Sequence, residues 1–233
     1  MKKIFFLLLL SVNCFGQIVN KSSPQAIGLI LNYPLSAQGG NIAVPGFGVY
    51  NGTLTNGAYF KNGFLYLDGA NDLMIGNANI PNLTNSNVLT ISFWLNFISH
   101  SIYGAILTKS SSTSNNSLLY DFGVSFSSTT NRLQLGRNGN DQTTTTALTA
   151  NTLYHITCEI GESRAVLYIN GIQKEILAGV AVGNNISTNT RPFNICTTGV
   201  PSNMYIKDVR IYNRALTPTE VLFNFLFPNL LYK

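Results

Sequence analysis

Alternation of apolar and polar side chains limits what this chain can fold into more than any other feature. In Leu89-Thr-Ile-Ser-Phe-Trp-Leu-Asn-Phe97 the residues Ile91, Phe93, Leu95 and Phe97 share one side, and Thr90, Ser92, Trp94 and Asn96 the other. A period of two fits an extended strand with one buried face. The pattern recurs in short segments at 64–68, 73–75, 90–97, 102–108, 120–126, 132–135, 154–160, 165–170, 193–195 and 204–212, with Asn, Gly, Ser and Thr between them. Such a series predicts an antiparallel all-β domain. Its inward set includes Phe93, Leu95, Ile156, Ile160, Leu167, Ile169, Val209 and Ile211.

The first 17 residues, MKKIFFLLLLSVNCFGQ, interrupt that pattern. Two lysines, an apolar stretch over 4–12 and a small-residue end read as a secretory leader cleaved after Gly16. The stretch is far short of the roughly 20 residues that span a bilayer. Lipidation at Cys14 is the alternative, and Asn13 before it fits that signal poorly. The expected organisation is a leader over 1–16 and one domain over 17–233, in an exported protein of the extracellular space, cell surface or periplasm. Lys2 and Lys3 belong to the leader, so 12 basic residues face nine acidic ones in the rest and the net charge falls from +5 to +3. The bases are scattered, whereas nucleic-acid binding needs a clustered patch. Only 10% of residues are charged and 11% are aromatic, which excludes disorder. Outside the leader Cys158 and Cys196 remain. They can pair in an exported protein or stay buried as small hydrophobes.

Turn chemistry marks two hairpins, Gly161-Glu-Ser163 and the Asn170-Gly171 pair favoured in a tight type I′ turn. Thr217-Pro-Thr-Glu220 is a capping box with proline at the first helical position, so one short helix begins there. The tail after it is apolar. Phe223, Phe227, Leu230 and Leu231 either cap an open end of the domain or dock on a partner. The polar tracts 110–117 and 143–152 read as loops.

Several phrases in this order resemble a known family: Leu31-Asn-Tyr-Pro-Leu35, Tyr50-Asn-Gly-Thr-Leu-Thr-Asn-Gly57, Leu67-Asp-Gly-Ala-Asn-Asp72, Leu89-Thr-Ile-Ser-Phe-Trp-Leu95, Leu153-Tyr-His-Ile-Thr157, Leu167-Tyr-Ile-Asn-Gly171 and Ile206-Lys-Asp-Val-Arg-Ile-Tyr-Asn-Arg-Ala-Leu216. They are similar to the laminin G-like, concanavalin A-like lectin/glucanase jelly rolls. The resemblance implies an all-β, two-sheet antiparallel jelly-roll sandwich with one short C-terminal helix. It implies a structural calcium as well, held by an acidic residue just after the position of Ile206. Here Lys207 stands there and Asp208 is expected on the opposite face of the strand, so the site is expected to be lost and no cofactor is expected. Asp68, Asn71 and Asp72 offer another oxygen cluster, or plain turn chemistry.

Some relatives are glycoside hydrolases, whose retaining sites need two carboxyl groups about 5 to 5.5 Å apart. The nine candidates are Asp68, Asp72, Asp121, Asp141, Glu159, Glu162, Glu175, Asp208 and Glu220, and none form an acid-x-acid pair on a strand. No Ser or Cys triad presents itself, and His155 reads as a structural hydrogen-bonder. The expected function is therefore a non-catalytic binding module for glycans or cell-surface proteins. Its ligand would meet Tyr103, Asn115, Asn116, Tyr120, Asp121, Arg137, Asn138, Asn140 and Asp141, with Trp94 either lining a face or packing under a loop. The alternative is a structural subunit of an envelope protein complex.

Overall fold

The apolar faces read from the alternation meet between two antiparallel sheets. The computed structural model describes residues 19–36, 39–76, 88–110, 120–127, 130–137, 140–161, 163–179 and 192–232, and of Ser110, Tyr120, Asp121, Arg137 and Asn140 it describes the backbone. The expected leader lies outside these residues. The described strands are β1 (Leu29–Tyr33), β2 (Ile42–Ala43), β3 (Gly52–Thr55), β4 (Tyr59–Lys61), β5 (Phe64–Asp68), β6 (Leu73–Ile75), β7 (Leu89–His100), β8 (Ala105–Ser110), β9 (Tyr120–Phe126), β10 (Arg132–Arg137), β11 (Asn140–Ala147), β12 (Tyr154–Ile160), β13 (Arg164–Ile169), β14 (Ile172–Ala178), β15 (Phe193–Ile195) and β16 (Ser202–Tyr212). One α-helix, α1 (Pro218–Leu226), follows them. Sheet I runs β14-β13-β12-β7-β16-β5-β4, with β1 also paired to β16, and sheet II runs β11-β10-β9-β8-β15-β6-β3-β2. This is the expected jelly-roll sandwich. Between the sheets lies the main core, including Ile91, Phe93, Leu95, Phe97, Phe122, Phe126, Ile156, Leu167, Val209 and Ile211.

Local chemistry sets the connections. Asn170 and Gly171 both take positive φ, 52° and 78°, between the paired residues Ile169 and Ile172, as a type I′ turn requires. A Cβ on Gly171 would meet Leu222 Cδ1 at 2.9 Å and Leu222 Cα at 3.2 Å, so α1 lies directly on this turn. The helix starts at the expected capping box, where Thr217 Oγ1 accepts from Glu220 N and Glu220 returns a bond to Thr217 N. Arg214 clamps the same carboxylate from below.

One expectation changes and two open alternatives close. The tract 143–152 is strand as far as Ala147, because β11 pairs with β10 and the Glu175 carboxylate of the other sheet accepts from Thr145 N at 2.7 Å and Thr146 N at 2.6 Å. Cys158 and Cys196 are buried free thiols, the first in sheet I and the second just after β15 of sheet II. Leu231, expected as either cap or docking residue, is fully buried and so is not open to a partner.

Leu231 belongs to a second core, on the outer side of sheet I, with Val19, Leu29, Val166, Tyr168, Tyr212, Leu216 and Val221. The C-terminal segment covers this half of the sheet, and a buried ion pair ties it down. Arg210, fully buried, donates through Nε to Asp208 Oδ1 at 2.9 Å and through Nη2 to Asp208 Oδ2. The same Nη2 donates to Pro228 O at 2.8 Å. Asn32 and the Tyr232 hydroxyl donate to Asp208 Oδ1, so the carboxylate joins β1, β16 and the tail. Burial opposes a charge on Arg210, but Asp208 together with Tyr212 and Tyr232 outweighs it and holds the guanidinium pKa above its ordinary value. Removing one partner of a buried pair strands the other charge, at a cost of about 3–5 kcal/mol. Arg210→Leu and Asp208→Ala should each lower the unfolding free energy by about that amount in urea titrations. A loss below about 1 kcal/mol, the range of an exposed pair, would show that the pair holds nothing in place.

Candidate functional site

Asp208 has φ 51°, and β16 shifts register against β7 between Lys207 and Arg210. This bulge changes which side chains face the core. Met204 and Ile206 point inward before it, Val209 and Ile211 after it. Lys207 and Asp208 therefore do not lie on opposite faces as expected. Both line one cleft of about 320 Å³ on the outer side of sheet I, with Trp94, Leu153, Pro34 and Tyr232.

Beyond the cleft, away from the tail, the outer face of sheet I carries two cross-strand rows. In one, Tyr59 opposes Tyr66, Tyr66 opposes Tyr205, and Tyr205 opposes Asn96. In the other, Lys61 opposes Phe64 and Lys207 opposes Trp94, which opposes His155. Tyr59 and Tyr66 meet edge to face at 5.4 Å, and Tyr66 and Tyr205 lie 4.7 Å apart. The Lys207 ammonium sits 4.5 Å from the Phe64 ring centre and 6.0 Å from that of Trp94. The Lys61 ammonium lies 5.2 Å from Tyr66 and 5.9 Å from Tyr205, within cation–π range. A hydrogen bond with Tyr205 is the largest cause that raises the Lys61 pKa above its ordinary value. Tyr59 is 45% exposed, and Phe64, Tyr66, Trp94, Tyr205 and Lys207 are half-buried, so the strip meets solvent.

Trp94 stands at the border between the strip and the tail. Its ring lies 5.0 Å from His155 and 5.7 Å from Phe225 of α1, while the cleft opens beside it. Both readings of this residue hold in part. The tail caps with Val221, Phe225 and Leu231, Phe223 lines a separate cavity of about 230 Å³, and Leu222, Leu226, Phe227 and Leu230 stay exposed.

The residues expected to bind ligand are not gathered on this strip. Asn115, Asn116 and Asn138 lie outside the described residues. Tyr120 and Asp121 begin β9, Arg137 ends β10, and Asn140 and Asp141 begin β11, so their backbones share one end of sheet II. Asp141 accepts from Gln134 Nε2 at 3.0 Å, and burial pushes its carboxyl up to about 6. Tyr103, exposed and with φ 60°, precedes β8 and lies at the opposite end of that strand from Ser110, which pairs with Tyr120. Five residues of strand put roughly 17 Å between Ala105 and Ser110, too far for Tyr103 to join that end. Tyr59, Lys61, Phe64, Tyr66 and Tyr205 were missed. Their signal was an aromatic or lysine on the polar parity of a strand, as in Phe64-x-Tyr66 and Tyr205-x-Lys207.

The Lys207 position does not suit a calcium ion, which takes six to eight oxygen ligands. An ammonium points there, and the Asp208 oxygens are occupied by Arg210, Asn32 and Tyr232. Asp68 and Asp72 form a turn, with Asp68 Oδ1 accepting from Ala70 N and Asp72 Oδ2 from Asp68 N. Among the described residues no three His, Cys, Asp or Glu side chains gather into a metal-binding group. Of the remaining carboxylates, Glu159 faces Arg164 at 3.9 Å and Glu220 chelates Arg214. Glu162 lies outside the described residues.

His155 shares a 2.9 Å hydrogen bond with Ser92 Oγ, and its Nδ1 has no hydrogen-bond partner among the described residues. Burial first, then the Arg210 charge, lowers its pKa to about 4, with Asp208 opposing. An unfolded chain protonates this ring near 6.5, so between 6.5 and 4 the unfolded state binds more protons. The stability that neutral His155 contributes is present above 6.5 and lost as pH falls through about 4. That loss is on the order of 3 kcal/mol. Asp141 acts with the opposite sign over part of this range, so the clean readout is a difference between proteins. The stability of the native chain minus that of His155→Gln should fall steadily from about pH 7 to pH 4.5 in urea unfolding. A difference that does not change with pH would contradict a neutral, buried ring.

Residues 67–222 match the family model for the concanavalin A-like lectin/glucanases superfamily. Among curated protein sequences nothing matches. Solved structures share the fold at low identity. Trypanosoma rangeli sialidase in complex with sialic acid is 13% identical with a TM-score of 0.68, over 94% of this chain and 37% of that one. The binding domain of botulinum neurotoxin serotype D is 16% identical with a TM-score of 0.62, over 86% of this chain and 51% of that one. The receptor binding domain of the botulinum neurotoxin C/D mosaic serotype gives 16% and 0.61 over the same shares. This chain thus spans about a third to a half of the structures it matches. The match over 67–222, on the two-sheet sandwich described above, makes the chain a member of the concanavalin A-like lectin/glucanase superfamily.

Proposed function

We infer that this domain is a non-catalytic, exported binding module that recognises saccharides on the outer face of sheet I. The observation that carries this reading is the row Tyr59–Tyr66–Tyr205, which ends on Asn96 and is flanked by Trp94. Aromatic rings on a solvent-facing sheet cost exposed apolar surface, and such patches mark interaction sites. Sugar rings offer the matching chemistry, with apolar C–H faces for the aromatic rings and hydroxyls for the amide and the tyrosine hydroxyls. The family and the neighbours support a binding role: two neighbours are named as binding domains, and one was solved with sialic acid. Each carboxylate whose side chain is described has at least one structural partner, with Asp72 Oδ1 and Asp141 Oδ1 the buried oxygens left unbonded among the described residues, and none forms a close pair with a second carboxylate on a strand, which supports a role without hydrolysis. Among the described residues no helix is long and apolar enough to cross a membrane.

Trp94 is the single tryptophan of the chain and reports on the strip directly. Titration with a panel of oligosaccharides should shift Trp94 fluorescence for at least one, and Tyr66→Ala with Tyr205→Ala should weaken that binding by about 1–3 kcal/mol, or roughly 5- to 150-fold. If every saccharide leaves Trp94 unmoved and none is retained on a glycan array, this reading falls. The accessory-subunit reading, favoured by exposed Leu226, Phe227 and Leu230, then takes its place.

A further inference from the structure

Lys61 and Lys207, like Lys21 over Phe47, hold their charge against aromatic rings, and these two stand together on the strip. Lys61 and Lys207 lie against ring faces, and neither has an ion-pair partner among the described residues. They stand on strands separated by β5, so their backbones are two strand spacings apart, roughly 10 Å. A ring face engages one side of an ammonium and leaves N–H donors for another partner, since lysine has three. The carboxylates on β16 and β5, the strands that carry Lys207 and the rings beside Lys61, are already engaged. Asp208 is bound by Arg210, and Asp68, at the far end of β5, accepts from its own turn at Ala70. The face therefore presents stacking surface and two positive charges together.

We propose that the strip selects anionic saccharides, chains bearing carboxylate or sulfate groups, over their neutral counterparts. Lys61 and Lys207 read the charge, and Tyr66, Tyr205 and Trp94 hold the sugar rings. The inference rests on the saccharide reading above and adds the ligand class. Lysine fits this use because it is a point charge on a flexible stem, able to reach a carboxylate or a sulfate beside a stacked ring. The binding would weaken as salt rises, because exposed charges are screened beyond about 8 Å at physiological ionic strength.

The test compares matched pairs on the intact protein: polygalacturonate with its full methyl ester, alginate with its neutral ester, and dextran sulfate with dextran. At least one acidic polymer is expected to bind about tenfold or more tightly than its neutral partner, a difference of about 1.4 kcal/mol, and to lose that margin in high salt. The double substitution Lys61→Gln, Lys207→Gln should remove the margin with the thermal midpoint unchanged, whereas Tyr66→Ala with Tyr205→Ala should lower binding to both members of a pair. Equal binding of neutral and acidic polymers, or a margin untouched by the lysine substitutions, overturns the inference and leaves the saccharide reading standing. Polyglutamate binding as tightly as the acidic saccharides also overturns it, because the strip would then read charge without sugar. Failure of all the polymers, neutral and acidic alike, counts against the saccharide reading itself, and the inference falls with it.

Discussion

The buried pair between Arg210 and Asp208 is the constraint on which the outer side of sheet I depends. A guanidinium removed from water is expensive unless it is paired and its donors are used. Here two of its nitrogens reach Asp208 and one also reaches Pro228 O in the tail, while Nη1 has no hydrogen-bond partner among the described residues. Asp208 in turn accepts from Asn32 on β1 and from the Tyr232 hydroxyl. The bulge makes this possible, because the left-handed conformation of Asp208 keeps Val209 and Ile211 in the main core while Arg210 faces out beneath the tail. One local departure from strand geometry thus serves both cores.

That tie divides the outer face in two. Where the C-terminal segment lies on it, the sheet carries Val166, Tyr168 and Tyr212 against Val221 and Leu231. Where the segment stops, the sheet carries Tyr59, Lys61, Phe64, Tyr66, Tyr205 and Lys207. Trp94 touches both territories, through Phe225 on one side and Lys207 on the other. The covered half behaves as an ordinary small core. The open half keeps aromatic rings in water, and the proposed binding surface rests on that exposure. Lys207 stands in this open half, with its ammonium against Phe64 and Trp94.

Much of the fold was legible because it is local. The alternation from Leu89 to Phe97 gave the buried face of β7, Asn170-Gly171 gave a tight turn, and Thr217 to Glu220 gave the start of α1. The candidate site was legible only in part. Trp94 and Lys207 stood out, but the neighbours of Lys207 depend on a bulge that shifts the parity of β16, and alternation assumes no bulge. The Tyr59–Tyr66–Tyr205 row depends on the register of three strands, one of them more than 130 residues along the chain, and sequence spacing carries no such register. The tract from 143 reads as loop because threonine-rich text is polar, yet β-branched threonine suits a strand once a partner is present. Leu231 looked like tail because its partners, Val19 and Leu29, lie at the other end of the chain.

The most direct measurement is an amide and side-chain chemical-shift map of the isotope-labelled protein with the saccharide that binds best. The account predicts that shifts concentrate at Tyr59, Lys61, Phe64, Tyr66, Tyr205, Lys207 and the Trp94 indole, and that β9, β10 and β11 of sheet II stay unmoved. Shifts confined to the β10–β11 end of sheet II, with the Trp94 indole unchanged, would contradict it.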